Sequence, residues 1–387
     1  MHATTPGRRY LDNAATTWPK PDTVLAAWDA AARQLGATAG RAAYREAVEA
    51  DAIRDQARAA AARLLGGVDP QRVALPAGCT LAINMAIHGL LKPGDHVIAT
   101  AADHNATLRP LHWLERRGMI SLSIVSCDKA GRVDPAAIAA AWTPVTRLVT
   151  LSHASNVTGA LQDVPAIAAV THDRGGWLLL DAAQTLGQIP FSLGGCGADI
   201  VAAPAHKWLL GTGGTAMLWC REGVEPEPLI QGGTGSASDS LEMPDGFVGR
   251  MEAGTPDVPA LAALAAAAAW LETRTVAVVG RACRGQAAAL AGGLREIPGV
   301  RVVAAENGPP IVSFTVEGYA PAEVAVIVEQ SAGVQVRAGH HCAARIHDHL
   351  GTQQGGTVRA SVGPFTEAGD IAALVAAVTE LVGYRVF

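Results

Sequence analysis

Residues 177–211 read WLLLDAAQTLGQIPFSLGGCGADIVAAPAHKWLLG. Two apolar runs stand in this stretch, Trp177–Asp181 and Ile200–Ala203, and neither alternates polar with apolar residues. A strand that is apolar on both faces is buried on both, the habit of parallel sheets covered by helices. The first run ends in Asp181 and the second leads into His206-Lys207. Ionisable groups thus fall just beyond the carboxyl ends of two buried strands, where open α/β sheets bind their ligands.

The same rhythm extends outward. Strands are expected at Arg72–Leu75, His96–Thr100, Leu122–Ser126, Leu148–Ser152 and Ala216–Cys220. Helical patterns lie among them. Glu46–Leu65 sets Val48, Ile53, Ala57, Ala61 and Leu64 near one face and stops at Gly66-Gly67, a glycine C-cap. Leu81–Leu91 is a second, closed by Pro93-Gly94-Asp95. Alternating strands and helices predict an open α/β sheet, mostly parallel and seven-stranded.

The last third predicts a smaller α+β domain. Helices are expected near 259–272, 276–296, 321–331 and 367–383, with strands at Val300–Ala304, Ile311–Val316, Val334–Arg337 and Thr357–Ser361. The division expected is an N-terminal segment 1–20 packing near the small domain, a large domain 21–256 and a small domain 257–387. The Gly-rich stretch 231–237 reads as a loop.

Composition narrows the class. Of 387 residues, 49% are hydrophobic and 17% charged, so general disorder is excluded. A net charge of −5 argues against a nucleic-acid scaffold. The first 20 residues lack the apolar core of a secretion signal, and the Ala-rich run Val258–Leu271 is too short to span a bilayer. The six cysteines form no CxxC pair, which predicts free thiols and a reducing, cytoplasmic setting.

Five successive strand ends carry chemistry: Cys79-Thr80, Asp103-His104-Asn105, His153 to Asn156, Asp181 with Gln184, and His206-Lys207. Ala77-Gly78-Cys79-Thr80 opens a helix, whose free N–H groups suit a phosphate unless Thr80 simply caps it. Asp181, buried, needs a partner: a protonated ring nitrogen, a helix N-terminus or an ion pair. Basic residues are 26 arginines and four lysines, and arginine cannot serve as an amine nucleophile. Lys20, between prolines, and Lys92 and Lys129, in turns, read as solvated surface charges. Lys207 follows a buried strand, where desolvation favours the neutral amine that Schiff-base chemistry uses. Phosphate-type helix, buried Asp and buried Lys together describe a site for pyridoxal 5′-phosphate.

The chain resembles the class V aminotransferase family of fold type I pyridoxal-phosphate enzymes, and within it the cysteine desulfurases and selenocysteine lyases. The resemblance rests on Tyr10-Leu11-Asp12-Asn13-Ala14-Ala15-Thr16-Thr17, Leu180-Asp181-Ala182-Ala183-Gln184, His206-Lys207, Glu252-Ala253-Gly254-Thr255-Pro256 and Arg337-Ala338-Gly339-His340-His341-Cys342-Ala343. It implies that Lys207 carries the cofactor as a Schiff base and that Asp181 pairs with the ring nitrogen. Gln184 would contact the ring hydroxyl and His104 stack on the ring. Cys79, Thr80 and His206 would hold the phosphate, with Thr255 reaching the site of the other subunit in a homodimer. Asn156 and Arg359 would bind the substrate carboxylate, and Arg337 would line the same pocket. L-Cysteine, or selenocysteine, would be the substrate, and Cys342 would take its sulfur as a persulfide, helped by His340 or His341. The short stretch from Cys342 to Arg359 is similar to that of the SUF-type subgroup and implies a dedicated sulfur-acceptor protein. Cys79, Leu81, Pro204 and the segment Gly40–Tyr44 depart from the family pattern. Another C–S lyase reaction, and a metal- or sulfur-binding module built on His340, His341, Cys342, His347, Asp348 and His349, are the alternatives; adjacent ligands on an extended segment point to opposite faces, so no metal is expected.

Overall fold

The computed structural model describes residues 7–236, 238–305 and 307–384. Residues 1–6 of the expected N-terminal segment, position 237 of the expected loop, and residues 306 and 385–387 of the small domain lie outside the described residues. In chain order the elements are β1 (Arg9–Tyr10), α1 (Asp22–Gln34), α2 (Arg45–Leu64), β2 (Val73–Ala74), α3 (Cys79–Leu90), β3 (His96–Thr100), α4 (Asn105–Arg116), β4 (Ser121–Val125), α5 (Pro135–Ala140), β5 (Thr146–Ser152), α6 (Val164–His172), β6 (Trp177–Asp181), α7 (Leu193–Cys196), β7 (Ile200–Pro204), β8 (Ala216–Cys220) and α8 (Phe247–Met251). There follow α9 (Val258–Arg274), α10 (Val276–Arg295), β9 (Val300–Val303), β10 (Ile311–Val316), α11 (Pro321–Ala332), β11 (Val334–Gln335), β12 (Arg337–Gly339), α12 (Ile346–Leu350), β13 (Thr357–Ser361) and α13 (Ala368–Gly383).

Seven strands form the central sheet in the order β2-β8-β7-β6-β5-β3-β4. Strands β4, β3, β5, β6 and β7 run parallel, and β8 runs antiparallel to both its neighbours. The apolar runs are buried as their lack of alternation predicts: every residue of β3, β7 and β8 is buried. The edge strand β4 differs, with Ser121 and Ile124 exposed, because one side of it has no neighbour. This is the mostly parallel, seven-stranded α/β sheet expected.

Residues from 300 onward build a four-stranded antiparallel sheet, β12-β13-β10-β9, packed under α10, α11 and α13. The expected strand Val334–Arg337 is two strands: β11 pairs with β1, and β12 with β13. The N-terminal segment is thereby stitched to residues near the other end, with Asp12 bridging to Ser361.

Two sequence expectations are corrected. Helix α2 does not bury Val48, which is 55% exposed; its inner face carries Ala47, Ala50, Ala57, Ala61 and the arginine Arg58. The expected strand Arg72–Leu75 shrinks to two residues, because Pro70–Arg72 winds into a 3₁₀ turn capped by Asp69. Helix α9 is largely buried. No single described helix is long and apolar enough to cross a membrane, and α9 and α10, which reach that length together, are bent by 81° at Thr275, whose φ is +61°.

Arg58 fixes the floor beside the sheet. Its Nη1 and Nη2 donate to Glu252 Oε1 and Oε2 at 2.6 and 2.9 Å, and Nη1 also donates to the Val73 carbonyl. Glu252 Oε1 accepts in turn from the Leu75 N–H. Removing one member of a buried pair strands the other charge, at a cost of ~3–5 kcal/mol. Glu252→Ala is expected to lose that much in urea denaturation, and the apolar double variant Arg58→Met/Glu252→Leu to recover most of it. A loss below ~1 kcal/mol, the worth of an exposed pair, would show that the pair is not the clamp described.

Candidate active site

Because β3, β5, β6 and β7 are parallel, their carboxyl ends open on one side, and the loops leaving them enclose a cavity of about 430 Å³. Cys79, Thr80, His104, Asn156, Asp181, Gln184, His206, Lys207, Arg337 and Arg359 all line it. These are the residues the sequence marks, and the fold brings them together. Gly213, Gly214 and Thr215 complete the wall.

The cavity receives the N-terminus of α3. Its N-cap is Gly78, and no side chain caps it, so the alternative role for Thr80 does not hold. Unfilled N–H groups and the positive end of a 12-residue helix dipole therefore face the cavity. Asp181 closes β6 across from it. Its Oδ1 accepts from the Ala183 N–H at 2.9 Å. Burial raises its pKa, and the nearby Lys207 opposes the rise. Burial conversely lowers the Lys207 ammonium, with Asp181 and the Cys79 thiol opposing. Lys207 Nζ makes no hydrogen bond among the described residues. A buried amine and a buried carboxylate, both short of partners, mark a site shaped for a further molecule.

The neighbours are held in fixed orientations. His104 caps α4, with Nδ1 accepting from the Ala106 N–H at 3.0 Å. Its proton is therefore on Nε2, and burial together with Lys207 and Arg337 pushes its pKa down to about 4. Burial and Lys207 do the same to His206, also to about 4. Gln184 is fixed at both ends of its amide: Nε2 donates to the Ala14 carbonyl at 3.1 Å, and Oε1 accepts from Trp208 Nε1 at 2.8 Å. Asp103, fully buried, accepts from the Thr100 and Ser152 N–H groups and from Thr150 Oγ1, tying the end of β3 to β5.

Arg359 is 1% exposed. Its Nη1 donates to the Asn156 carbonyl and its Nη2 to Asp12 Oδ1, at 3.0 and 2.9 Å. Its buried Nε has no partner, leaving one edge of the fork for an incoming carboxylate. Asn156 donates through Nδ2 to the His341 carbonyl at 2.6 Å, so its donor is committed to the loop that holds Cys342.

Cys342 stands at the rim. Its sulfur accepts a hydrogen bond from Arg337 Nη2 at 3.2 Å, and Arg337 lines the cavity. The expectation that His340 or His341 assists the thiol is corrected. His341 Nε2 faces the Thr357 carbonyl and hydroxyl, and His340 Nε2 faces the Gln353 carbonyl. The group in contact with the sulfur is the Arg337 guanidinium. His341 and Cys342 both sit in the left-handed region, at φ +51° and +59°. Such a conformation costs of order 1–3 kcal/mol per residue, and the turn is tied at three successive carbonyls: Ala343 N–H binds that of His340, Asn156 that of His341 and Asn105 N–H that of Cys342. His347 turns its ring to Thr352 Oγ1 and the His340 carbonyl. The imidazoles of this cluster thus point to separate protein partners, and no group of three or more metal-ligating side chains occurs among the described residues.

Thr255 lies outside the cavity. It lines a neighbouring hollow of about 810 Å³, which shares Ala77, Gly214 and Thr215 with the first. Asp12, which the sequence reads as turn structure packing near the site, is the partner of Arg359. One residue escapes the sequence reading. Lys20 is not a solvated charge: its Nζ donates to Thr17 Oγ1 and to the His206 carbonyl.

These residues fit pyridoxal 5′-phosphate. The bare α3 terminus matches a phosphate, the buried Asp181 a protonated ring nitrogen, and the unpartnered Lys207 amine an aldehyde.

Comparison with known proteins agrees in sequence and in shape. The profile of the family described as aminotransferase class-V matches residues 9–374. A probable cysteine desulfurase of Methanothermobacter thermautotrophicus is 33% identical over 97% of this chain and 94% of that protein. One from Pseudomonas aeruginosa is 33% identical over 94% and 91%. The apo structure of a cysteine desulfurase from Thermococcus onnurineus superposes with a TM-score of 0.90 at 26% identity, covering 97% of this chain and 95% of that one. The cysteine desulfurase CsdA of Escherichia coli gives 0.88 at 26%, covering 99% and 96%.

Proposed function

The chain belongs to the aminotransferase class-V family, and from this premise we propose that it is a cysteine desulfurase working with pyridoxal 5′-phosphate. The observation that carries the reading is the convergence of Lys207, Asp181 and the uncapped α3 terminus on one cavity, with the Cys342 sulfur held by Arg337 at its rim. When bound, the cofactor supplies an electron sink for the pair left on the substrate Cα.

The chain supplies the rest. Lys207 would hold the cofactor, Asp181 would pair with its ring nitrogen, and Cys79, Thr80 and His206 would hold its phosphate. His104 would contact the ring, and Gln184, fixed by Ala14 and Trp208, would contact its hydroxyl. The open edge of Arg359 binds the substrate carboxylate beside Asn156. Burial lowers the pKa of Lys207, which favours the neutral amine that takes the Cα proton. Cys342, held by Arg337, attacks the substrate sulfur as its thiolate. The substrate C–S bond breaks, an S–S bond forms on Cys342, and the carbon left behind gains a proton. L-Cysteine and the Cys342 thiol thus become L-alanine and a Cys342 persulfide.

The active unit proposed is a homodimer, in which Thr255 reaches the partner's phosphate. The exposed Leu229 and Ile230 near the 810 Å³ hollow support it. Because the Cys342 turn is tied at three carbonyls, the persulfide is collected by a sulfur-acceptor protein that comes to it. Six unpaired cysteines support a reducing, cytoplasmic setting.

The test is product analysis. Protein reconstituted with pyridoxal 5′-phosphate and given L-cysteine and a thiol reductant is expected to release alanine and sulfide in equal amounts. Pyruvate and ammonia in place of alanine would replace this reading by β-elimination, and no turnover of cysteine would end it.

A further inference from the structure

Lys20 is half-buried, and no described carboxylate pairs with it. Its Nζ donates at 2.6 Å to the His206 carbonyl and at 2.7 Å to Thr17 Oγ1. Thr17 Oγ1 passes the interaction on by donating to the Lys207 carbonyl at 2.8 Å, and the Thr17 N–H also reaches the His206 carbonyl, at 3.1 Å. The carbonyls of His206 and Lys207 belong to the two peptide planes that flank the Lys207 Cα. Gripping both fixes φ and ψ of Lys207 and with them the direction in which its side chain leaves the backbone. A lysine carries about 2 kcal/mol of rotamer entropy, so a fixed root narrows where its amine reaches.

We propose that Lys20 is a positioning residue for Lys207, locking the His206–Lys207 backbone through a charge-assisted bond to one carbonyl and, through Thr17, a bond to the next. The inference rests on the reading of Lys207 as the cofactor-bearing lysine. Among the described residues Lys20 is the only charged donor on that carbonyl, and charge-assisted bonds are roughly twice as strong as neutral ones. Burial lowers its pKa to about 7, so the charge-assisted form of this contact is the one present below that pH. A surface lysine would turn to water instead.

The experiment compares Lys20→Met, Lys20→Arg and Thr17→Val holoenzymes with the unaltered protein. Two readouts are taken: kcat and KM for L-cysteine, and the visible circular dichroism of the bound cofactor, which reports how the lysine presents it. Lys20→Met is expected to lose ~10-fold in kcat, within the range a misplacement of about 1 Å produces. KM should stay within about twofold, and the dichroic band should weaken or change sign, with Lys20→Arg restoring most of both. Thr17→Val, which leaves the ammonium but cuts its route to the Lys207 carbonyl, should move both readouts the same way and serves if Lys20→Met does not fold. Unchanged kcat and dichroism in Lys20→Met, or a loss of kcat with unchanged dichroism that Lys20→Arg fails to repair, overturns the proposal. An unaltered protein that forms no visible band with pyridoxal 5′-phosphate removes the functional reading and this inference together. A normal band there with silent variants removes this inference alone.

Discussion

Lys207→Ala, incubated with pyridoxal 5′-phosphate, is expected to show no visible absorption band and to lose at least ~10³-fold in kcat, in the upper part of the range for a general base. Two losses combine at this position. The amine that captures the aldehyde is gone, and so is the group that takes the Cα proton. Nothing described nearby replaces it. Lys20 Nζ is committed to a backbone carbonyl on the far side of Thr17, and Lys92 and Lys129 lie in turns away from the cavity. The α3 terminus, Asp181 and His206 remain, so the variant should still bind the cofactor without covalent capture, seen as retention through gel filtration. A visible band in Lys207→Ala, removable by borohydride, would mean that another amine carries the cofactor.

Cys342→Ala is expected to fall by ~10² or more in alanine formation from L-cysteine while keeping the full visible band. Cys342 does not line the cavity, so its removal leaves the cofactor site intact and takes away only the sulfur nucleophile. Cys342→Ser separates shape from chemistry, because a hydroxyl keeps the geometry but does not attack sulfur as a thiolate does. Selenocysteine makes the comparison sharper: a lyase acting on it depends less on this cysteine, so retained turnover of selenocysteine alone would shift the assignment to that reaction. Retained turnover of cysteine would sink the persulfide route. Cys79 is the other thiol of the site, but burial and Asp181 raise its pKa, so it is a poor substitute nucleophile.

The fold was legible where one physical signal dominated. Largely apolar runs gave β3, β6 and β8 at their observed limits, because burial on both faces leaves little choice of residue, and stretches rich in β-branched residues gave β10 and β13. Helix α2 misled, since eight alanines mark no single face and Arg58, paired with Glu252, was free to go inside. Helix α4 carries Pro110, a residue that hides a helix. The large-domain half of the site was legible because parallel strands deliver their ends to one place. Its remaining features were not. Lys20 looks solvated in the sequence because its partner is 186 residues away, and Arg337 takes the role given to the histidines because the left-handed turn at His341–Cys342 carries their rings off to other partners. Spacing along a chain does not report which way a strained turn points.

The stitching of β1 to β11 and of Asp12 to Arg359 has a bearing on biosynthesis. The Asp12–Arg359 bond joins residues 347 positions apart, so this segment, among the first described residues to leave the ribosome, waits long for its partner. Contacts of such sequence separation form late. A nascent chain can present Lys207 and Asp181 while Arg359, Arg337 and Cys342 are still unmade, and at that stage it has an amine for an aldehyde but no arginine for a substrate and no thiol for its sulfur. Maturation is thereby ordered by topology: the site is complete only once β11 has paired with β1 and Arg359 has reached Asp12.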